Sequence, residues 1–388
     1  MRVSSRLVTR DFALLTAAHL LQALGYATLI LLPLYLGHLN ATRTEIGVIM
    51  AMGSVGGLAF RPVVGWALDR VGRKPTLIAG TLVLVTAMGL IFFVRDLGPL
   101  IYIDRLLVGI GAGTLFTGYF AFVADLIPES RRTEGIALFG ISGLLPLAIN
   151  PFVQDLGIDA PDLVWFFPVI GGLIFLSLPF LLPIPEPQVT KTSKPFSLPE
   201  VLLSLRQRRL LPVWFATAVF AALVGSFMAF STVTAEAKGV ERPAALWFTY
   251  ACGAIGVRAF GARIPDRLGT HNIIAPALAC YAGAMLATGM ATETWGFLLA
   301  GLLAGLGHGY CFPVLASQVV SRAPERVRGA ALSMFTALWS GAGLAATPVL
   351  GSIADQYDDS TMFCAAGLAA VVGLGGWAVM EHKLSGPV

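Results

Sequence analysis

Three groups of residues have types and spacings that could do chemistry. Asp104 and Arg105 open the stretch Asp104-Arg105-Leu-Leu-Val-Gly109-Ile-Gly-Ala-Gly113, about one and a half turns inside an otherwise apolar run. A fixed guanidinium there could hold an anionic group of a substrate or favour the ionised form of a nearby acid. It could also be a side chain reaching back to a membrane interface from near a helix end. Asp104 lies about 100° further round a helix and need not share the surroundings of Arg105. His308, within Gly305-Leu-Gly-His308-Gly-Tyr310, titrates near neutral pH; proton coupling and hydrogen-bonded packing are both open to it. His19, Gln22 and Tyr26 follow i, i+3, i+7 and form one polar stripe on an apolar helix, which should face protein or a cavity rather than lipid.

The elements that must position these groups are long and apolar. Of the 388 residues, 56% are hydrophobic and 12% charged, and the mean hydropathy is +0.78; soluble domains carry about 25% charged residues. Apolar runs of about 20 residues, the length a helix needs to cross a bilayer, are separated by short charged strings. Lipid offers the backbone no hydrogen bonds, so such runs must be helices. The runs fall near 11–36, 44–68, 75–94, 98–122, 134–156, 163–183, 211–234, 243–264, 271–291, 294–318, 328–353 and 361–381. The expected fold class is therefore an all-α membrane protein with twelve transmembrane helices.

Charge placement orients them. Of the 26 Lys and Arg residues, 19 lie in the termini and even-numbered loops, four in odd-numbered loops (Arg43, Arg95, Lys238, Arg242) and three inside spans (Arg61, Arg105, Arg258). The positive-inside rule then puts both termini in the cytoplasm, in a multi-pass inner-membrane protein. The same distribution argues against nucleic acid as the partner of the positive charge. Arg2, Arg6 and Arg10 before an apolar stretch superficially suggest a signal peptide. That stretch is about 25 residues long and lacks a small-residue cleavage site, so it is kept as the first span. The cysteines Cys252, Cys280, Cys311 and Cys364 fall one per apolar segment, without metal-ligand spacing. Neither a metal site nor a cofactor is expected, and no G-x-x-x-x-G-K-S/T loop suggests direct ATP drive.

The chain also repeats itself. At an offset near 196, Arg61 matches Arg258; Asp69-Arg70-Val-Gly72 matches Asp266-Arg267-Leu-Gly269; Gly109, Gly111 and Gly113 match Gly305, Gly307 and Gly309; Pro128-Glu129 matches Pro324-Glu325; Pro151 matches Pro348. Each half holds six spans, so the halves share one orientation, as in parallel repeats about an axis along the membrane normal. The expected division is a six-helix bundle over 1–185, a cytoplasmic linker over 186–210, proline-punctuated and basic, and a second bundle over 211–388. The basic part of the linker reads as a solvated connection or as an amphipathic helix on the anionic leaflet.

Between spans 2 and 3 stands Gly65-Trp-Ala-Leu-Asp69-Arg70-Val-Gly72-Arg73-Lys74, a tight turn with one acid and three bases. It resembles the signature loop of the major facilitator superfamily, Gly-x-x-x-Asp-Arg-x-Gly-Arg-Arg/Lys, at every defined position. The second copy is degraded: Ala262 stands at the first glycine, Asp266, Arg267 and Gly269 remain, and Thr270-His271 replace the bases. The resemblance implies that the Asp69 loop is a cytoplasmic gate latch, its arginines paired to an acid at the end of span 4, here Asp125. It further implies a central cavity lined by spans 1, 4, 7 and 10. Arg105, His308, His19, Gln22 and Tyr26 would then line the substrate and proton pathway. Asn150 would be either a pore-side polar group or a packing amide. The Pro-x-x-x-Arg turns Pro128–Arg132 and Pro324–Arg328 also resemble the family's.

Drug/proton antiporters of this superfamily carry Gly-x-x-x-Gly-Pro-x-x-Gly-Gly in span 5. Aligned on Pro151, this chain has Pro146, Asn150, Gln154 and Asp155 in the glycine places. The expected function is secondary transport of a small organic solute, proton-coupled export before uptake of an organic anion or sugar-like solute. A monomer in the lipid bilayer is expected, without enzymatic activity; a transport-incompetent receptor is the reading from another class. An intramembrane enzyme on His19 and His308 would need a nucleophile or metal cluster that does not stand out.

Overall fold

The computed structural model describes residues 7–128, 132–187, 206–261, 264–324 and 328–384. Every regular element among them is helical. In chain order they are α1 Arg10–His38, α2 Arg43–Arg70, α3 Arg73–Phe93, α4 Pro99–Leu126, an α5 that begins as Arg132–Leu144, and α6 Ala160–Leu181. There follow α7 Leu211–Ala237, α8 Leu246–Phe260, α9 Thr270–Met290, α10 Thr294–Arg322, α11 Arg328–Gln356 and α12 Asp359–Leu384. Ten of these are long and apolar enough to cross a membrane. With the shorter α5 and α8 they make the twelve helices of an all-α membrane protein.

The two short spans depart from their expected lengths for identifiable reasons. Over 134–156 a single helix is expected, but α5 tightens into a 3-10 stretch at Leu145–Ile149 and resumes as Asn150–Asp155. Pro146 and Pro151 each lack an N–H, and the freed Leu147 carbonyl is taken by the Asn150 side-chain amide at 3.1 Å. Helix α8 stops at Phe260 rather than near 264, and a separate short helix, Ile264–Leu268, follows Gly261.

The chain divides into two compact units: Met1–Leu39 with Met52–Lys194, and Asn40–Ala51 with Pro195–Val388. Helix α2 thus begins in the second unit and ends in the first. Most of the linker expected at 186–210 lies outside the described residues.

Within each unit the glycine repeat explains the packing. Helices in lipid gain little from hiding apolar surface and associate through close van der Waals contact, which small residues permit. On α4, Gly109 and Gly113 face α2, and Gly111, two residues from each and so on another side of the helix, faces α3. A Cβ on Gly109 would collide with the Gly53 carbonyl, and one on Gly111 would lie 2.9 Å from the Leu84 nitrogen. The second unit repeats this: Gly305 and Gly309 face α8, and Gly307 faces α9, where a Cβ would lie 2.7 Å from the Ala277 carbonyl oxygen. The loop glycines repeat as well. Gly72 and Gly269 precede α3 and α9 with φ of +122° and +85°, a region that disfavours any residue with a Cβ.

Candidate functional site

The charged loop before α3 is organised by Arg73. Its Nε donates to Asp125 Oδ2 at 3.1 Å, and its Nη1 donates to the Leu68 carbonyl at 2.8 Å and to Asp69 Oδ1 at 3.3 Å. One guanidinium therefore ties the end of α2 to the end of α4. Glu186, the residue with which the linker was expected to begin, closes the other side. Its carboxylate accepts from the backbone N–H groups of Arg73 at 2.5 Å and Lys74 at 2.9 Å, capping the start of α3 where unsatisfied donors and the helix dipole favour an anion. The Lys74 ammonium donates to the Leu182 carbonyl at 2.9 Å. Arg70 is exposed. A Cβ on Gly65 would meet nothing within 4 Å, so no close approach holds this end of the motif. In the degraded copy, Arg267 is exposed and the Asp266 side chain lies outside what is described. Nothing in the sequence marks Glu186 as a cap, although it is an acid three residues beyond the apolar run 163–183.

At membrane depth in the first unit, the α1 stripe faces α5. His19 is buried, its Nδ1 2.6 Å from Ser142 Oγ. Ser142 itself donates to the Phe139 carbonyl at 2.6 Å. A hydroxyl has one proton, so Ser142 accepts from His19, which fixes the Nδ1–H tautomer. Phe139 stacks on the imidazole with centroids 4.5 Å apart, and Tyr119 and Phe120 close the box at 5.1 and 6.1 Å. Tyr26 donates to the Gly143 carbonyl at 3.2 Å, and Asn150 donates to the Ala27 carbonyl at 3.2 Å. His19, Tyr26 and Asn150 therefore meet on one α1–α5 seam, and Asn150 serves there as a packing amide. Gln22, 1% exposed, has neither amide atom hydrogen-bonded.

Arg105 lies elsewhere in the same unit, over the α2–α4 glycine crossing. Its Nη2 comes within 3.5 Å of where a Cβ on Gly53 would sit, so Gly53 leaves the room the guanidinium occupies. The residue is 4% exposed, and its Nε and Nη1 have no hydrogen-bond partner. Asp104 beside it is fully buried, with neither carboxyl oxygen hydrogen-bonded.

His308 belongs to a different kind of site. It is half-buried in α10, with Nδ1 hydrogen-bonded to the Tyr250 hydroxyl of α8. Phe220, Tyr250 and Trp339 surround the ring edge-on, at centroid distances of 5.8, 5.8 and 6.0 Å. Trp339 in turn packs on Phe312 at 5.0 Å and Phe220 at 5.2 Å. Tyr250 and Trp339 escaped the sequence reading because aromatic residues in apolar spans carry no signal until their partners are known.

A further polar cluster in the second unit was also missed. Asp355, at the end of α11, accepts from the backbone N–H groups of Arg43 and Thr44, each at 2.7 Å, and so caps the start of α2. The Arg43 guanidinium engages Asp359 through both oxygens, at 2.8 and 2.7 Å. Gly47 and Gly351 have their Cα faces pressed against the backbone at Thr347 and Arg43, respectively.

Twelve helices, a repeat written into the packing glycines and polar groups stranded at membrane depth define a two-bundle membrane transporter. The chain belongs to the Major Facilitator Superfamily, whose sequence profile matches residues 14–348. Over 357 residues it is 27% identical to the MFS-type transporter YhhS of Escherichia coli strain K12, covering 87% of this chain and 84% of that one. A shorter match, 29% identical over 45% of each chain, is to the multidrug resistance protein MdtL of E. coli O45:K1. The fold is shared with the crystal structure of the nucleoside transporter NupG (D323A mutant), at a TM-score of 0.80 and 14% identity over 96% of this chain and 100% of that one.

Proposed function

We propose that the chain is a secondary active transporter that moves a small organic solute across the inner membrane by alternating access, in the direction of export and at the expense of a proton gradient. The observation that carries this reading is the set of ionisable groups held at membrane depth in both halves of a superfamily fold: Asp104 and Arg105 in one, His308 in the other. Such groups are expensive in a bilayer and are retained where a polar solute or an ion must pass. Export is favoured by the relation to a protein named for multidrug resistance. Both termini lie in the cytoplasm in this reading, which places the Asp69 loop on that side as a gate latch. The protein acts as a monomer.

A second reading is favoured by one observation. Arg105 is an almost fully buried cation with two unbonded nitrogens. A carboxylate is the ligand such a fork is built to hold. Proton-coupled movement of an organic anion follows.

Purified protein in proteoliposomes with an imposed pH gradient, offered ethidium as a planar cation and p-aminohippurate as an aromatic carboxylate, separates the two. Gradient-driven ethidium movement supports export; p-aminohippurate movement supports the anion reading. Movement of neither, together with binding of one, would leave a receptor. Asp69→Asn is expected to slow transport while leaving binding unchanged; equal loss of both would remove the latch assignment.

A further inference from the structure

We propose that the second unit holds the aromatic ring of the transported anion against a wall made by Trp339 and Phe312, with His308 donating a hydrogen bond to an acceptor beside that ring. This rests on the anion reading above and narrows its cargo to aromatic carboxylates.

The wall stands at mid-depth. Helix α10 runs from Thr294 to Arg322, so His308 is its central residue and Phe312 lies about one turn further on. Helix α11 runs from Arg328 to Gln356, and Trp339 precedes its central residue, Ala342, by less than one turn. Transporters built from repeated bundles take their solutes near this depth.

His308, Phe312 and Trp339 are all half-buried, so each keeps an open surface after making the contacts described above. An open surface at this depth meets either lipid or a solute path. Helix α12 shows what a lipid surface looks like, because its large exposed side chains are Leu368, Val371, Val372 and Val379, all aliphatic. The open surface of α11 differs in kind. Thr336 and Ser340 lie within about 100° of Trp339 on the same side of the helix and are half-buried like it. Hydroxyls, an indole and an imidazole together mark a surface turned toward something more polar than acyl chains.

The chemistry of that surface selects a flat ring with an acceptor. Phe312 and Trp339 meet edge to face at 5.0 Å between centroids and so form a corner. A planar ring laid in the corner can stack on one of them and meet the edge of the other, the two arrangements that aromatic rings prefer. The Tyr250 hydroxyl is bonded to His308 Nδ1. A phenol is the better donor and an imidazole nitrogen the better acceptor, so the proton of the neutral imidazole sits on Nε2, where it can be donated to the solute. A positively charged ring finds no partner here. Among the described residues of α7, α8, α10 and α11, acids occur only near helix ends, as Glu236 and Asp355. The fixed charge that acts on both Tyr250 and His308 is the cation Arg258.

The test uses the full chain in proteoliposomes, with labelled p-aminohippurate as cargo and unlabelled hippurate and N-(cyclohexanecarbonyl)glycine as competitors. The competitors share carboxylate, amide and skeleton and differ only in whether the ring is flat and aromatic. The saturated ring is the more apolar, so a pocket that merely hides apolar surface would favour it or treat the two alike. In the wild type, hippurate is expected to compete about tenfold more tightly, as one or two aromatic contacts allow. Trp339→Leu is expected to bring the two competitors within about twofold of one another, and Trp339→Phe to restore most of the preference. Where Trp339→Leu does not fold, Phe312→Leu tests the same wall with the same expectation of lost preference. His308→Ala is expected to weaken both competitors alike, since both present the same amide carbonyl.

Equal competition in the wild type would overturn the ring site while leaving anion transport standing, as would a preference that survives in folded Trp339→Leu or Phe312→Leu. Unchanged affinity for both competitors in His308→Ala would overturn the hydrogen bond. No movement of p-aminohippurate, with or without movement of ethidium, would remove the anion reading and the ring site with it.

Discussion

The two units place opposite residues at matching points of the same helix crossing. Where α4 meets α2, Gly109 lies on the Gly53 carbonyl; where α10 meets α8, Gly305 lies on the Tyr250 carbonyl, so Gly53 and Tyr250 correspond. Arg105 precedes Gly109 by four residues, and Gly301 precedes Gly305 by four. The first unit thus has a large cation on the central helix and a glycine on its neighbour. The second has a glycine on the central helix and a large phenol on its neighbour. Gly301 presses on α8 itself, where a Cβ would collide with the Leu246 carbonyl and Thr249 Oγ1, so the second unit has no room for a counterpart of Arg105. One crossing ends up charged and short of partners; the other is aromatic, with His308 and Tyr250 satisfying one another.

If the backbone geometry is common to both units, the glycines that create it should be equally indispensable. Gly109→Val and Gly305→Val are expected to abolish recovery of folded, monodisperse protein, because the new side chain must displace a carbonyl of the neighbouring helix. Gly256→Ala on α8 is the control. Nothing lies within 4 Å of its Cβ position, and helix propensity alone predicts a gain of about 0.5–1 kcal/mol. Folded Gly109→Val alongside unfolded Gly305→Val would break the symmetry of the comparison.

The division of labour should appear next in transport. Arg105→Ala is expected to abolish transport with folding intact, since an unpaired buried cation is removed rather than a partner stranded. His308→Ala is expected to preserve transport and change its pH dependence. It also strands the Tyr250 hydroxyl, at a cost of about 1–3 kcal/mol seen as a lower Tm. Wild-type pH profiles in both variants would remove these residues from the mechanism.

A smaller effect is expected at the Arg43–Asp359 pair, whose side chains are 18% and 13% exposed and bonded through both carboxylate oxygens. A double-mutant cycle with Arg43→Ala and Asp359→Ala should give a coupling energy near the upper end of the 0.2–1 kcal/mol typical of exposed pairs, roughly 1 kcal/mol. The Arg73–Asp125 pair, joined by one bond to a 35% exposed carboxylate, should couple less. The reverse ranking would show that contact geometry in these loops does not set their energetics.

The features legible in the sequence were those that leave a local trace. Apolar length gave the helices, charge strings gave the loops, and paired glycines at fixed offsets gave the repeat that the packing now explains. The break in α5 was not expected, although Pro146 and Pro151 stand in the sequence, because the carbonyl that Pro151 leaves free had to find Asn150 before the helix could bend there. The candidate site was legible only as a list of polar residues at depth. Spacing placed His19 and Tyr26 on one face but could not tell a cavity from the α5 seam. Asp355 and Arg43 lie more than 300 positions apart, and no pattern in either segment announces their contact.

The mildest prediction concerns Asp358, which precedes α12 as Lys238 follows α7. Asp358 Oδ1 accepts from the Thr361 N–H at 2.6 Å, an N-cap bond, and that donor together with the Thr361 hydroxyl holds the carboxyl below its ordinary range. A carboxylate with a depressed folded pKa stabilises the protein fully above its unfolded pKa of about 3.9, and its contribution disappears as pH falls through the folded value. Asp358→Ala should therefore lower Tm slightly at neutral pH, and the gap to wild type should close toward pH 3. Lys238 behaves in the opposite sense. Its ammonium donates to the Gly289 and Ala291 carbonyls at 3.0 and 2.8 Å, while burial lowers its proton affinity. Capping the α9 carbonyls outweighs that burial in the protonated state at neutral pH, so Lys238→Met should lower Tm there without the acid dependence of Asp358→Ala. Parallel pH profiles in the two variants would mean that the ends of α9 and α12 are held by something other than these caps.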